Sequence, residues 1–299
     1  MYTKIKPKSI YELPTYIKII AGVVIFILFT ITFLFFPTAS VDWHYTFYPV
    51  SQLPLHPYDI RTFVNLPWTA IILYPLNFFS ENFGLAINAS LNTMIIVLLI
   101  FKRKGSAVSL ILTLTSFPFL SLLANGSIEW IPALGFLLQN GYGIPMILTK
   151  PQSGIFVVLP WFRSAKKKWL FFMPSILVII VSFFAWGNWI GELISNVQYM
   201  SNLHIGLFTV SISPFPWGIP FGLALIYYIL KYKPQHSELL GTLSTFFFVP
   251  YFVPHSLTIL FALLAISYRR IAIASWVLLW LHPILIHWGT FIQILGFQH

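Results

Sequence analysis

Nine side chains in this sequence have the type and the setting to do chemistry: Asp42, His44, Tyr45, Tyr48, Tyr58, Arg61, Glu129, Lys150 and His255. They stand out because the rest of the chain offers so little charge. Of 299 residues only 8% are charged and 58% are hydrophobic. A carboxylate such as Asp42 can take a proton from a hydroxyl nucleophile as a general base. An ammonium such as Lys150 presents a point charge to a phosphate. The chain has no cysteine, which excludes disulfides, thiolate chemistry and cysteine-based metal sites.

Each candidate also has a plainer explanation. Asp42 opens the run "DWHYTFYP", where it can cap a helix beside a belt of interfacial aromatics. Alternatively it is a carboxylate held at the membrane face, with His44, Tyr45 and Tyr48 around a sugar or a lipid head group. Asp59 follows Pro57-Tyr58 and lies close to Arg61, the pattern of a local turn with a surface ion pair. Lys150 is the only charge between Glu129 and Arg163, and Pro151 breaks the helix behind it. It either snorkels to an interface or points into an outward cavity to bind phosphate. Glu129 follows the Asn125-Gly126 turn and suits the start of a short helix. His255, after Pro254, is either a packed interface residue or a partner of Lys150 around an anion. Glu12 and Glu238 sit near basic groups and are expected in solvent. His282 and His287 fall on different helix faces and are read as structural. No metal-ligand set is evident, and divalent metal dependence stays open. Asn88-Ala89-Ser90 and Asn125-Gly126-Ser127 match glycosylation acceptors, a motif too short to weigh.

The elements that must position these residues are apolar. A soluble domain carries about a quarter charged residues, so this composition points to an all-α polytopic membrane protein. The formal charge is +10, but fifteen of the seventeen Lys and Arg residues fall into five groups bordering apolar runs. These are Lys4 to Lys18, Lys102 to Lys104, Arg163 to Lys168, Lys231 with Lys233, and Arg269 with Arg270. Such grouping reports cytoplasmic loops rather than a nucleic-acid partner. Residues 1–16 are then cytoplasmic, an uncleaved anchor spans about 16–36, and 37–65 form an extracytoplasmic loop. Further apolar segments run at roughly 66–80, 83–101, 106–123, 128–148, 152–162, 169–190, 205–230, 239–253, 255–268 and 271–297. Prolines break several of them. Keeping every basic group inside requires that some, among 66–80 and 128–162, only dip into the bilayer. The expectation is a single membrane domain over 1–299, with about 8–11 helices, some short or re-entrant, around one outward cavity. That makes it a multi-pass protein of the plasma (inner) membrane, its N-terminus in the cytoplasm and its site facing outside.

In their order these residues resemble the GT-C superfamily of integral-membrane glycosyltransferases, most closely its family 87. The resemblance rests on Asp42 after the first helix, then Tyr45, Tyr48, Pro57-Tyr58, Phe63 and Pro67, followed by "ILYPLNFF". Lys150-Pro151 and Pro254-His255-Ser256 match two later elements of that family. Leu55-His56 stands where the family usually has a glycine, and Glu129 lies near the position of a missing glutamine. The chain is also shorter than most members, and the match covers roughly 17–165.

The resemblance implies a GT-C-like helical bundle that takes a sugar, most often mannose, from a polyprenyl-phosphate donor without a cofactor. Asp42 would be the general base toward a lipid or glycan acceptor. Lys150, His255 and Arg61 would stabilise the departing lipid phosphate, and His44, Tyr45, Tyr48, Tyr58 and Glu129 would contact substrate. The anomeric centre would invert. Two other classes remain: a transporter for a lipid or small anion, and a non-catalytic accessory subunit that kept this fold.

Overall fold

The structure is a computed structural model, described over residues 15–35, 40–203 and 211–286. Lys4, Lys6, Lys8, Glu12 and His287 lie outside the described residues. Those residues are helical, with no strand among them. The helices are α1 (Thr15–Leu34), α2 (Tyr48–Gln52), α3 (Trp68–Leu73), α4 (Glu81–Lys102), α5 (Ala107–Leu114) and α6 (Phe117–Asn125). There follow α7 (Trp130–Leu138), α8 (Asn140–Leu148), α9 (Val158–Ser164), α10 (Lys168–Phe171), α11 (Met173–Trp186) and α12 (Trp189–Leu203). The last described helices are α13 (Ile219–Tyr232), α14 (Ser237–Phe248), α15 (Thr258–Ser267) and α16 (Arg269–Ile286).

Among the described residues two stretches are long and apolar enough to cross a bilayer, Glu81–Lys102 and Lys168–Trp186. A third is available if α5 and α6 form one span bent by 50°. The 8–11 helices expected include short and re-entrant ones, and the other apolar runs are indeed cut into short helices by local chemistry. At the α5–α6 bend, Ser116 Oγ accepts from Phe119 N and donates to Thr113 O, while Pro118 occupies the first turn of α6. A side-chain cap and a proline together start a new helix there. Between α7 and α8, Gln139 and Asn140 both take positive φ, 53° and 50°, and reverse the chain. Each arm of this hairpin has nine residues, about 13 Å of rise, less than half a bilayer core.

α4 organises the interior. Ile96, Leu99 and Ile100 on it are buried against Leu122 of α6, Phe136 of α7, Ile147 of α8 and Leu260 of α15. α11 by contrast leaves Ile176, Leu177, Ile180, Val181 and Phe184 exposed, a surface that suits lipid tails rather than water.

Candidate functional site

The α6–α7 link carries the core of the site. Gly126 ends α6 in the left-handed region at φ 67°, and α4 then grips the chain through two asparagines one turn apart. Asn88 Nδ2 donates to the carbonyls of Gly126 and Ser127, and Asn92 Nδ2 donates to Ser127 O at 2.8 Å. In return Asn92 Oδ1 accepts from Trp130 N at 2.7 Å, and Asn88 Oδ1 from Trp130 Nε1 at 2.9 Å. Asn92 stands about halfway along α4, so the link reaches deep into the bundle. Asn88 is fully buried, and its amide is committed to this grip rather than open to glycosylation.

Glu129 follows, and it is fully buried. The α7–α8 hairpin returns the chain so that Lys150, itself buried, meets it. Lys150 Nζ lies 2.5 Å from Glu129 Oε1 and donates to Ser127 Oγ at 2.9 Å. The turn forced by Pro151 brings Ser153, whose Oγ donates to Glu129 Oε2 at 2.6 Å. Both carboxylate oxygens are thereby satisfied, as a buried charge requires.

Asp42 approaches from the other side. Ser40 N donates to Ala124 O at 2.8 Å, and fully buried Trp43 donates from Nε1 to Glu81 O at 3.1 Å. These contacts pin the π-helical turn Trp43–Phe47 to the ends of α4 and α6. Asp42 Oδ2 comes within 3.6 Å of His255 Nε2, and its side chain keeps 33% of its exposure. Burial raises the Asp42 pKa above the ordinary carboxylate range. The Lys150 charge and the nearby Ser127 hydroxyl oppose that rise, and Glu129 adds to it. Two carboxylates thus occupy one site in different states, Glu129 sealed and paired and Asp42 reachable. Beside them Ser256 Oγ is buried without a hydrogen-bond partner.

A cavity of about 330 Å³ adjoins the cluster, lined by Val64, Gln152, Val197, Met200, Pro250 and Tyr251 among others. Tyr251 brings a phenol hydroxyl to this lining, a group able to donate a hydrogen bond at neutral pH.

The remaining candidates stand apart from this cluster. Arg61 is directed to Ser195 Oγ and Asn196 Oδ1 of α12, both at 3.4 Å, and the expected ion pair with Asp59 does not form. Tyr58 is buried and donates to Asn65 O at 3.0 Å, a brace within its own loop. Tyr48 donates to Phe79 O at 3.2 Å. His44 pairs with Glu81 at 2.6 Å near the surface, and exposed Tyr45 packs edge-on against its ring. Glu238, expected in solvent, is instead half-buried and held by Arg103 at 2.9 and 3.0 Å. Among the described residues no group of three or more His, Asp or Glu side chains could hold a metal ion.

The sequence reading missed Asn88, Asn92, Ser127, Ser153 and Tyr251. The signal for the first two was present: two amides at i and i+4 place a polar stripe on one face of an otherwise apolar helix.

Comparison with family models, with curated proteins and with solved structures finds no match to this chain.

Proposed function

We propose that this chain is a membrane glycosyltransferase of the GT-C kind that moves a sugar from a polyprenyl-phosphate donor onto a hydroxyl acceptor outside the cytoplasm. The carrying observation is Asp42, a partly exposed carboxylate 3.6 Å from His255 and within electrostatic reach of the sealed Glu129–Lys150 pair. An acceptor O–H gives its proton to Asp42 as its oxygen bonds to the anomeric carbon. The bond from that carbon to the phosphate oxygen breaks on the opposite face, and the configuration inverts. The electron pair leaves with the lipid phosphate, whose charge needs no proton if cations face it. Lys150 is the cation for that role, reached when the donor phosphate draws it from Glu129, and His255 offers a ring N–H rather than a charge. Arg61 drops out of it, because its contacts lie on α12. The raised pKa suits Asp42 as a base, since a stronger proton acceptor takes a hydroxyl proton more readily.

The test is transfer from radiolabelled polyprenyl-phosphate sugars, mannose first, by purified protein in detergent. Asp42→Asn should retain donor binding and lose transfer by 10²-fold or more. Donor turnover unchanged in Asp42→Asn removes this function.

A transporter is the second reading, and one feature favours it. The α7–α8 hairpin carries the Glu129–Lys150 pair at one end, and Gln139 donates to Glu238 at 2.7 Å at the other. Two polar clusters thus lie about 13 Å apart through an apolar layer. Flux of a lipid or anion across liposomes that depends on Lys150, without sugar transfer, would select this reading.

A further inference from the structure

The end of the bundle opposite Asp42 gathers cations that the candidate site does not use. Arg163 closes α9, Lys233 follows α13 and Lys104 follows α4. Arg163 and Lys233 line a cavity of about 250 Å³ with Ser164 and Ser237. That cavity shares Pro160, Ser164 and Ser237 with a larger one of about 590 Å³, which Arg103, Lys104 and His236 also line. The one carboxylate in either lining is Glu238. Arg103 holds both of its oxygens, and Gln139 Nε2 and Trp161 Nε1 each donate to Oε1 at 2.7 Å. Glu238 therefore has little capacity left to neutralise another cation. Among the described residues Arg163, Lys233 and Lys104 have no acidic partner within ion-pair distance.

Placement of these cations adds to their number. Lys104 and Lys233 both hold the left-handed backbone, at φ 57° and 50°, a conformation that suits glycine or asparagine better than lysine. A helix C-terminus favours a cation, which accounts for part of the choice. It does not account for the two serines that line the same cavity, Ser237 and Ser164, the latter with its hydroxyl donated to Trp161 O at 2.9 Å and its oxygen still able to accept. Cations combined with hydroxyl donors form the set that recognises phosphate oxygens. Beside the cavity, α13 exposes Tyr228, Leu230 and Tyr232, an aromatic and apolar flank of the kind found at a lipid head-group level.

We propose that this basic cavity between α9, α13 and α14 binds a phosphate group, supplied by an anionic phospholipid head group or by a free phosphate. It is a second site, distinct in place and chemistry from the Asp42 cluster, and it does not depend on the function proposed for that cluster.

The full chain in neutral detergent is offered phosphatidylglycerol, phosphatidylcholine or inorganic phosphate. Native mass spectrometry counts retained lipid, and thermal unfolding reads stabilisation. Phosphatidylglycerol should be retained on the order of tenfold over phosphatidylcholine, and Arg163→Gln/Lys233→Asn should lose most of that preference. Arg269→Gln/Arg270→Gln removes the same charge from exposed residues outside the cavity lining and should keep it. Stabilisation by inorganic phosphate, lost in the cavity variant and without lipid preference, identifies a free phosphate as the source and also supports the site. Arg163 donates to Ile229 O at 2.8 Å, so the double variant risks misfolding. Lys233→Asn alone places a residue at ease in that backbone and should still lose the preference severalfold. Equal losses in the two double variants would reduce the effect to net charge and overturn the proposal. So would the absence of both lipid preference and phosphate stabilisation, or an unchanged Lys233→Asn.

Discussion

Glu129 and Lys150 meet at 2.5 Å with both side chains withdrawn from solvent, although a helical hairpin separates them in the chain. Each is held by a serine as well, Lys150 by Ser127 and Glu129 by Ser153. Removing two charges from water is costly, and their attraction repays it only when the geometry is good and the remaining lone pairs are satisfied. Here both conditions hold. The pair fixes where the α7–α8 hairpin ends relative to the α6–α7 link, and so where Ser127 faces Asp42.

Breaking the pair on one side should therefore be worse than removing it. Glu129→Gln or Lys150→Met alone leaves an uncompensated buried charge, with a cost of about 3–5 kcal/mol. The double variant Glu129→Gln/Lys150→Met should recover most of that loss in thermal melts. It should still lack sugar transfer, because the Lys150 charge proposed to meet the departing phosphate is gone and His255 supplies none. A double variant as unstable as the worse single would show that the ion pair is not what holds this region.

Asp42 should trade stability against function as pH changes. Its pKa is raised in the folded chain, so the folded state binds the proton more tightly than the unfolded state does. Asp42 is then least harmful to stability at low pH, below its ordinary value near 3.8. Its penalty grows as pH rises through the raised value. Asp42→Asn should accordingly melt higher than the parent protein at neutral pH, with the difference shrinking as the buffer is acidified. In the parent, the acid limb of kcat/KM should lie above the ordinary aspartate value. A limb at that value, or a variant that melts lower at neutral pH, would mean that burial does not govern this carboxylate.

Asp42, Lys150 and His255 were legible as a group because an ionisable residue in an apolar chain is conspicuous and rarely idle. Their partners were not legible, because serines and asparagines in helices are common and their role depends on which faces meet. Arg61 shows the opposite failure. Its exposed position beside Asp59 gave no hint that it would turn to α12. The helix boundaries suffered similarly: 83–101 came close to Glu81–Lys102, whereas 106–123 concealed the cap and proline at Ser116 and Pro118. Hydropathy measures total apolar length, while a single side-chain cap decides where a helix restarts.

Asn196 should anchor α12 to the loop that carries Tyr58. Its buried amide lies within 3.1 Å of three carbonyl oxygens, those of Tyr58, Ile60 and Phe63. Asn196→Ala removes the donor common to all three, and an unsatisfied buried carbonyl costs about 1–3 kcal/mol. Hydrogen exchange should accelerate across 57–65 and 189–203 while the α7–α8 hairpin keeps its protection. Uniform acceleration over the whole chain would instead make Asn196 part of the global core.

Gly126 should prove as important to the site as the ionisable residues. Its φ of 67° strains any side chain, and an added Cβ would lie 2.5 Å from Trp43 Cβ, beside the residue that carries the proposed base. Gly126→Ala combines backbone strain of about 1–3 kcal/mol with overpacking of about 1–3 kcal/mol. The collision is with the root of the Trp43 side chain, which cannot yield by rotating. The relief available is to move the Trp43 backbone, and that changes the 3.6 Å placement of Asp42 against His255. Gly187→Ala is the control for strain without collision: φ there is 58° with ψ −129°, at least as costly for alanine, and nothing lies within 4 Å of the added atom. Both variants should melt lower, but only Gly126→Ala should lose sugar transfer out of proportion to its folded fraction. Equal activity per folded molecule in the two would separate the Gly126 turn from the chemistry at Asp42.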